Sequence, residues 1–247
     1  MAKEISRRQA VKVLGAAAAA TAAGSVEALA AGGEGILGKK TTGKMKVILI
    51  NGSPRRKGNT NRLLEEVAAQ LGKNGIDSEI VQIGNGAVRG CIACGQCTEG
   101  HCVFGEDICN QVLDKMASAD GLVVGSPVYY GIPTGQILSL IQRMAVAGGS
   151  RLQGKPVAAV TVCRRGGATS AFQTLQMPFQ MLNMPIVTSQ YWNIGYGGDP
   201  GEVAQDAEGL QTMRTLADNM AYMLKQFASG TARKPSREKG VYTNFIK

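Results

Sequence analysis

A chain of 247 residues, 44% of them hydrophobic, is long enough for one α/β domain with a sizeable core and some appendages, and too apolar for wholesale disorder. Its net charge of +9 suits phosphate-bearing ligands, acidic partners or a membrane surface. Basic residues are not interleaved with aromatic ones as in nucleic-acid binders, so nucleic acid is not an expected partner.

Residues 1–30 read as a leader outside the fold. A basic start carries Arg7 and Arg8, a weakly apolar stretch spans 11–23, and Ala28-Leu29-Ala30 places small residues where a signal peptidase reads. The run SRRQAVK, Ser6 to Lys12, resembles the twin-arginine export signal, although Ala10 stands where that signal usually has a bulky apolar residue. The order of these features outweighs the alternative of an alanine-rich domain helix. The apolar stretch is also short for a membrane span. The resemblance implies contact with the twin-arginine translocase and delivery to the periplasm or the outer face of the cytoplasmic membrane. That route carries folded proteins, so a cofactor would be loaded beforehand. Residues 31–44, rich in Gly and Lys, read as a linker.

From Met45 onward, apolar runs alternate with amphipathic stretches. Residues 45–52 (MKVILING) have the unbroken apolar character of a buried parallel strand. Residues 59–73 read as a helix, with Leu63, Leu64, Val67, Ala68 and Leu71 on one face. A second strand is predicted over 78–83, a helix over 107–117, and a third strand over 121–130. Then follow a helix over 134–147, a strand over 155–163, a helix over 170–183, a fifth strand over 184–189 and a last helix over 203–228. Five strands with intervening helices predict a doubly wound parallel sheet with helices on both faces. The domain spans 45–228, with a cysteine-rich insert at 88–109 and a basic tail at 229–247.

Ligands of open parallel sheets bind beyond the carboxyl ends of the strands, and three loops mark that edge. The first, NGSPRRKGNTN (51–61), offers Ser53, Asn59, Thr60 and Asn61 as hydroxyl and amide groups. It adds the charges of Arg55, Arg56 and Lys57 and a helix N-terminus, which together suit a phosphate monoester. It contains neither G-x-x-x-x-G-K-[ST] nor G-x-G-x-x-G. The second, GSPVYYGIPTG (125–135), can flank a planar ring with Tyr129 and Tyr130. In the third, CRRGGATS (163–170), Arg165 precedes Gly166 and Gly167, which allow close backbone approach; a basic surface turn is the competing reading.

A phosphate loop, a ring loop and a glycine loop in this order suggest flavin mononucleotide. GSPRRKGNTN, ADGLVVGSPVYYG and GKPVAAVTVCRRGG resemble the NADPH-dependent FMN reductase family of flavodoxin-like proteins. GCIACGQC…C resembles its iron–sulfur flavoprotein branch. The resemblance covers residues 45–228. It implies a flavodoxin-like fold, bound FMN, NAD(P)H as donor, and homodimers or homotetramers. Carried over by position, it implies that Ser53, Arg55, Asn59, Thr60 and Asn61 hold the phosphate. Pro127, Val128, Tyr129, Tyr130 and Gly131 would border the isoalloxazine, with Arg165, Gly166 and Gly167 alongside.

Five of the six cysteines fall between 91 and 109. The spacing C-x2-C-x2-C-x4-C of Cys91, Cys94, Cys97 and Cys102 suits a 4Fe-4S cluster, with Cys109 as a substitute ligand. Zinc, disulfides, and structural or redox thiols are the alternatives. The insert follows the second strand and is expected near the flavin loops.

No Ser-His-Asp set or paired acid–base carboxylates stand out, which fits a cofactor-driven reaction. The expectation is an FMN-dependent oxidoreductase passing electrons from a reduced donor through FMN, with a 4Fe-4S cluster, to a small-molecule or protein acceptor. Because NAD(P)H is cytoplasmic, two other functions stay open. One is an exported electron carrier without NAD(P)H activity. The other is a flavin or quinone reductase retained in the cytoplasm.

Overall fold

The computed structural model describes residues 43–231 and, beyond them, residues 238, 241 and 243. The leader at 1–30, most of the linker and most of the basic tail lie outside the described residues.

β1 (Lys46–Asn51) is apolar without a break because both of its faces are covered, and Val47 to Ile50 are fully buried. Alternate side chains point to opposite layers. Ile48 and Ile50 join Leu122, Val124 and Ala159 in one core. Val47 and Leu49 join Val123, Ala158 and Val160 in the other. β1 is followed by α1 (Asn59–Lys73), β2 (Asp77–Gln82), α2 (Cys109–Ser118) and β3 (Gly121–Tyr129). After a two-residue strand β4 (Ile132–Pro133) come α3 (Gly135–Leu152), β5 (Val157–Cys163) and α4 (Ala168–Met181). β6 (Ile194–Tyr196), a 3-10 turn (Glu202–Gln205) and α5 (Ala207–Ser229) complete the order. The apolar stripes of α1 and α5 close one core, and those of α2, α3 and α4 close the other.

The sheet order is β2-β1-β3-β5-β6, all parallel, with β4 paired antiparallel to β3. This is the doubly wound, flavodoxin-like arrangement expected, with β4 as a sixth strand. Its strand order reverses between β1 and β3, the switch point where such sheets bind ligands.

The fifth parallel strand does not run over 184–189. That segment makes one bridge, Ile186 to Val157, and then leaves the sheet. Its first residues flank Pro185, which has no N–H to offer a ladder. Asn193 bridges the gap: its Nδ2 donates to the Ala159 carbonyl at 3.0 Å, and its own carbonyl accepts from Thr161 N–H at 3.0 Å. Pairing resumes at Ile194. The last helix starts later than 203 because Asp206 caps it, accepting from Gly209 N–H at 2.9 Å.

The helix expected over 134–147 runs on to Leu152, bending at Gly148 (φ −115°, ψ 18°). A Cβ at Gly148 would lie 2.1 Å from Cδ2 of the buried Leu113 on α2. Glycine is therefore what lets α2 and α3 pack so closely.

Candidate functional site

The β1–α1 loop is built around buried polar groups. Ser53 N–H donates to Asn51 Oδ1 at 3.0 Å, and Ser53 Oγ accepts from Arg55 N–H at 3.1 Å. Gln82, at the end of β2, donates to the Ser53 carbonyl at 2.5 Å and accepts from Asn51 Nδ2 at 2.6 Å. On the other side Thr134 Oγ1 donates to the Gly52 carbonyl at 2.9 Å, while Thr134 N–H donates to Ser126 Oγ at 3.1 Å. The loop is thus fixed from both neighbouring strands before any ligand arrives. Thr134 follows Pro133 and opens a helix, a recognisable capping position; nothing local to Asn51 or Gln82 marks them in the sequence.

α1 has no side-chain cap at Gly58. Its first-turn N–H groups, at Asn59, Thr60 and Asn61, have no intrahelical acceptor, an arrangement that suits an anion. Ser53, Asn59 and Thr60 are buried around it, while Arg55, Arg56 and Lys57 are exposed. The Asn59 side chain is engaged elsewhere: Nδ2 donates to the Asp199 carbonyl and Oδ1 accepts from Gly201 N–H, both at 2.9 Å. Asn61 Nδ2 donates to Glu65 at 2.6 Å. For these two residues, the main-chain N–H is the group left facing an anion.

The second loop is a two-residue hairpin between β3 and β4. Tyr129 pairs with Ile132, and Tyr130 (φ 50°) and Gly131 (φ 85°) form the turn, both in the left-handed region. A tyrosine in that conformation is strained. Here it projects the Tyr130 ring fully into solvent, with Tyr129 44% exposed beside it. Pro127 and Val128 are half-buried. The third loop packs directly on this turn. Gly167 (φ 83°) lies so near Gly131 that a Cβ would stand 2.7 Å from the Gly131 Cα, and Ser170 Oγ donates to the Gly131 carbonyl. Arg165 and Gly166 are exposed on the same edge. The structure therefore brings all three loops to the carboxyl edge of the sheet.

The cysteine insert takes a different course. It runs along α3 rather than over the sheet edge. Gln136, near the start of α3, donates to the Gly86 carbonyl at 2.8 Å, whereas Arg151, near its end, donates to the Glu99 carbonyl at 2.8 Å. Between them Cys91, Cys94, Cys97 and Cys102 line one pocket with Phe104, Arg143 and Val146. Arg143 lies about two turns down α3 from its start at the carboxyl edge of the sheet. The insert is thereby tethered along α3, from Gln136 at its start to Arg151 near its end.

Cys91, Cys94 and Cys97 are half-buried, Cys102 and Cys109 buried, and all are free thiols. Burial, then the neighbouring Cys102, Cys94 and Cys91, pushes the Cys97 thiol up. Burial pushes Cys109, which does not line the pocket, up to about 12. A 4Fe-4S cluster requires four thiolates converging on one space. The donor set and its shared pocket fit that requirement. The thiols do not stand at ligand spacing: among the described residues, no three metal-ligating side chains form a preformed group. Thr98 to His101 form a tight turn with Glu99 (φ 50°) and Gly100 (φ 76°) left-handed. His101 is tied down there, its Nε2 lying 2.6 Å from Asp114 Oδ1. Hydrogen bonds from His101 and Arg151 hold the Asp114 carboxyl below its ordinary range.

A profile of the NADPH-dependent FMN reductase family matches residues 45–199. The chain is 35% identical to an iron-sulfur flavoprotein of Methanocaldococcus jannaschii over 190 residues, covering 73% of this chain and 98% of that one. It is 34% identical to an iron-sulfur flavoprotein of Archaeoglobus fulgidus, covering 70% and 92%. Among solved structures, a flavodoxin from the domain Archaea superposes with a TM-score of 0.51 at 16% identity, covering 73% of this chain and 99% of that one. A flavone reductase does so with a TM-score of 0.58 at 18% identity, covering 76% and 66%; at such identities these two bear on the fold alone. With the matched segment spanning β1 to the loop after β6, the chain belongs to the NADPH-dependent FMN reductase family and is a flavin-dependent oxidoreductase of flavodoxin-like fold.

Proposed function

We propose that this chain carries electrons from a reduced donor through FMN and a 4Fe-4S cluster, held by Cys91, Cys94, Cys97 and Cys102, to a small-molecule or protein acceptor. The observation that carries the reading is the single pocket lined by all four of these thiols, in a chain whose relatives are named iron-sulfur flavoproteins. FMN, when bound, supplies two-electron chemistry at its ring, and a cluster supplies one-electron chemistry.

The chain's own residues bind and orient. The α1 N-terminus and Ser53 receive the phosphate, with Arg55 supplying charge. The 127–131 hairpin borders the ring, and the 165–167 loop supports it. Phe104 and Val146 line the cysteine pocket beside the sulfurs. A homodimer or homotetramer is the proposed assembly.

The test is an anaerobic titration of the purified protein with NADPH. Flavin bands that bleach with about one equivalent support the reductase reading. A protein that carries no flavin contradicts it.

A second reading rests on the paired arginines and cleavage-like site of residues 1–30. On this reading the folded protein is exported by the twin-arginine route to the periplasm or the outer face of the cytoplasmic membrane, where NAD(P)H is absent, and shuttles electrons between exported partners. Flavin bands reduced by dithionite but not by NADPH favour this carrier. Fractionation of cells, with the mature N-terminus sequenced, tests the export.

A further inference from the structure

Arg143 is a cation in the wrong place for an ordinary helix residue. It lies on the apolar face of α3, among Ile137, Leu140, Ile141 and Met144, and its side chain is 1% exposed. A buried guanidinium is costly unless it is paired and its donors are satisfied. Every partner of this side chain lies in the cysteine insert. Nη1 pairs with Asp107 and donates to the Arg89 carbonyl at 3.4 Å, Nη2 donates to the Phe104 carbonyl, and Nε donates to Cys102 Sγ at 3.3 Å. Asp107 continues the hub, accepting from Arg89 N–H and Cys109 N–H, both at 3.0 Å. Residues 89 and 104 bracket the four cysteines, so one side chain closes the segment at both ends.

We propose that Arg143 is the positioning residue of the cysteine segment. It ties the two ends of the segment that carries the four thiols and donates an N–H to the sulfur of Cys102. The tethering stands on the hydrogen bonds alone; its consequence for a cluster rests on the iron–sulfur reading above. An N–H directed at a ligand sulfur, together with a buried cation, stabilises the more negative, reduced cluster and raises its potential.

The two carbonyls that Arg143 holds belong to peptide bonds that proteases read: trypsin after Arg89 and chymotrypsin after Phe104. In metal-free, FMN-loaded protein, cleavage at both bonds is expected to be at least tenfold faster in Arg143→Gln than in wild type. After anaerobic reconstitution with ferrous iron and sulfide, Arg143→Gln is expected to lose most of its iron while retaining FMN. Arg143→Lys keeps the charge but cannot reproduce the fork. It is expected to hold an intermediate amount of iron, with the cluster midpoint potential shifted to more negative values.

Equal cleavage rates and equal iron in Arg143→Gln and wild type would overturn the proposal. So would an unshifted potential in a variant that still holds a cluster. If wild type itself takes up no iron, the iron–sulfur reading fails and the cleavage rates alone decide the role of Arg143. If Arg143→Gln does not fold, shown by loss of FMN, the same comparisons are made on Arg143→Lys.

Discussion

Lys155 is 4% exposed at the amino end of the sheet, where its ammonium donates to the Met116 carbonyl at the end of α2. Burial pushes its pKa down from 10.5 to about 8. The folded protein therefore binds fewer protons than the unfolded chain between about pH 8 and 10.5, and stability contributed by this group rises with pH across that window. The upper limit is about 3 kcal/mol from a shift of that size. Urea midpoints of wild type and Lys155→Met, compared from pH 7 to 10.5, are expected to converge as pH rises. A difference that stays constant contradicts the assignment. Gly167 carries a different constraint. Alanine there would need a left-handed backbone and would place its Cβ 2.7 Å from Gly131 Cα. Gly167→Ala is expected to cost about 1–3 kcal/mol and to weaken FMN binding, read by fluorescence titration. Unchanged affinity would separate the third loop from the flavin site.

The elements show how far a sequence pattern carries. The apolar runs of β1, β3 and β5 identify themselves because both faces are buried. The run at 184–189 carries the same apolar signal but not the strand, because the ladder depends on Asn193 reaching Ala159 across the gap, and one polar residue in a loop does not announce that contact. The hairpin β4 is too short to show periodicity. Helix α3 hid two features in one apolar stripe: Arg143, visible as a charge out of phase, and Gly148, whose role depends on Leu113 of another helix. Gly148→Ala is expected to destabilise by about 1–3 kcal/mol through overpacking. Adding Leu113→Ala should cost less than the two single changes summed, because the methyl of one fills space vacated by the other. Strict additivity in urea unfolding contradicts this packing.

For the whole molecule, the doubly wound parallel sheet and the three edge loops were legible because alternating strands and helices leave few topologies and put the loops on one edge. The four thiols were legible as a set from their spacing. Their location was not, since the insert is steered by Gln136, Arg143 and Arg151, contacts 50, 54 and 52 residues away in sequence. On the proposed reading the molecule has two electron-handling regions: FMN at the three loops of the carboxyl edge, and a cluster in the cysteine pocket about two turns down α3. The most direct test of that account is the iron, acid-labile sulfide and FMN content of anaerobically prepared wild type and Cys94→Ser, with absorbance spectra. The expected result is about four iron and four sulfide per FMN in wild type, with Cys94→Ser losing iron and sulfide but keeping FMN. Wild-type protein with FMN and no iron, or Cys94→Ser with undiminished iron, would contradict it.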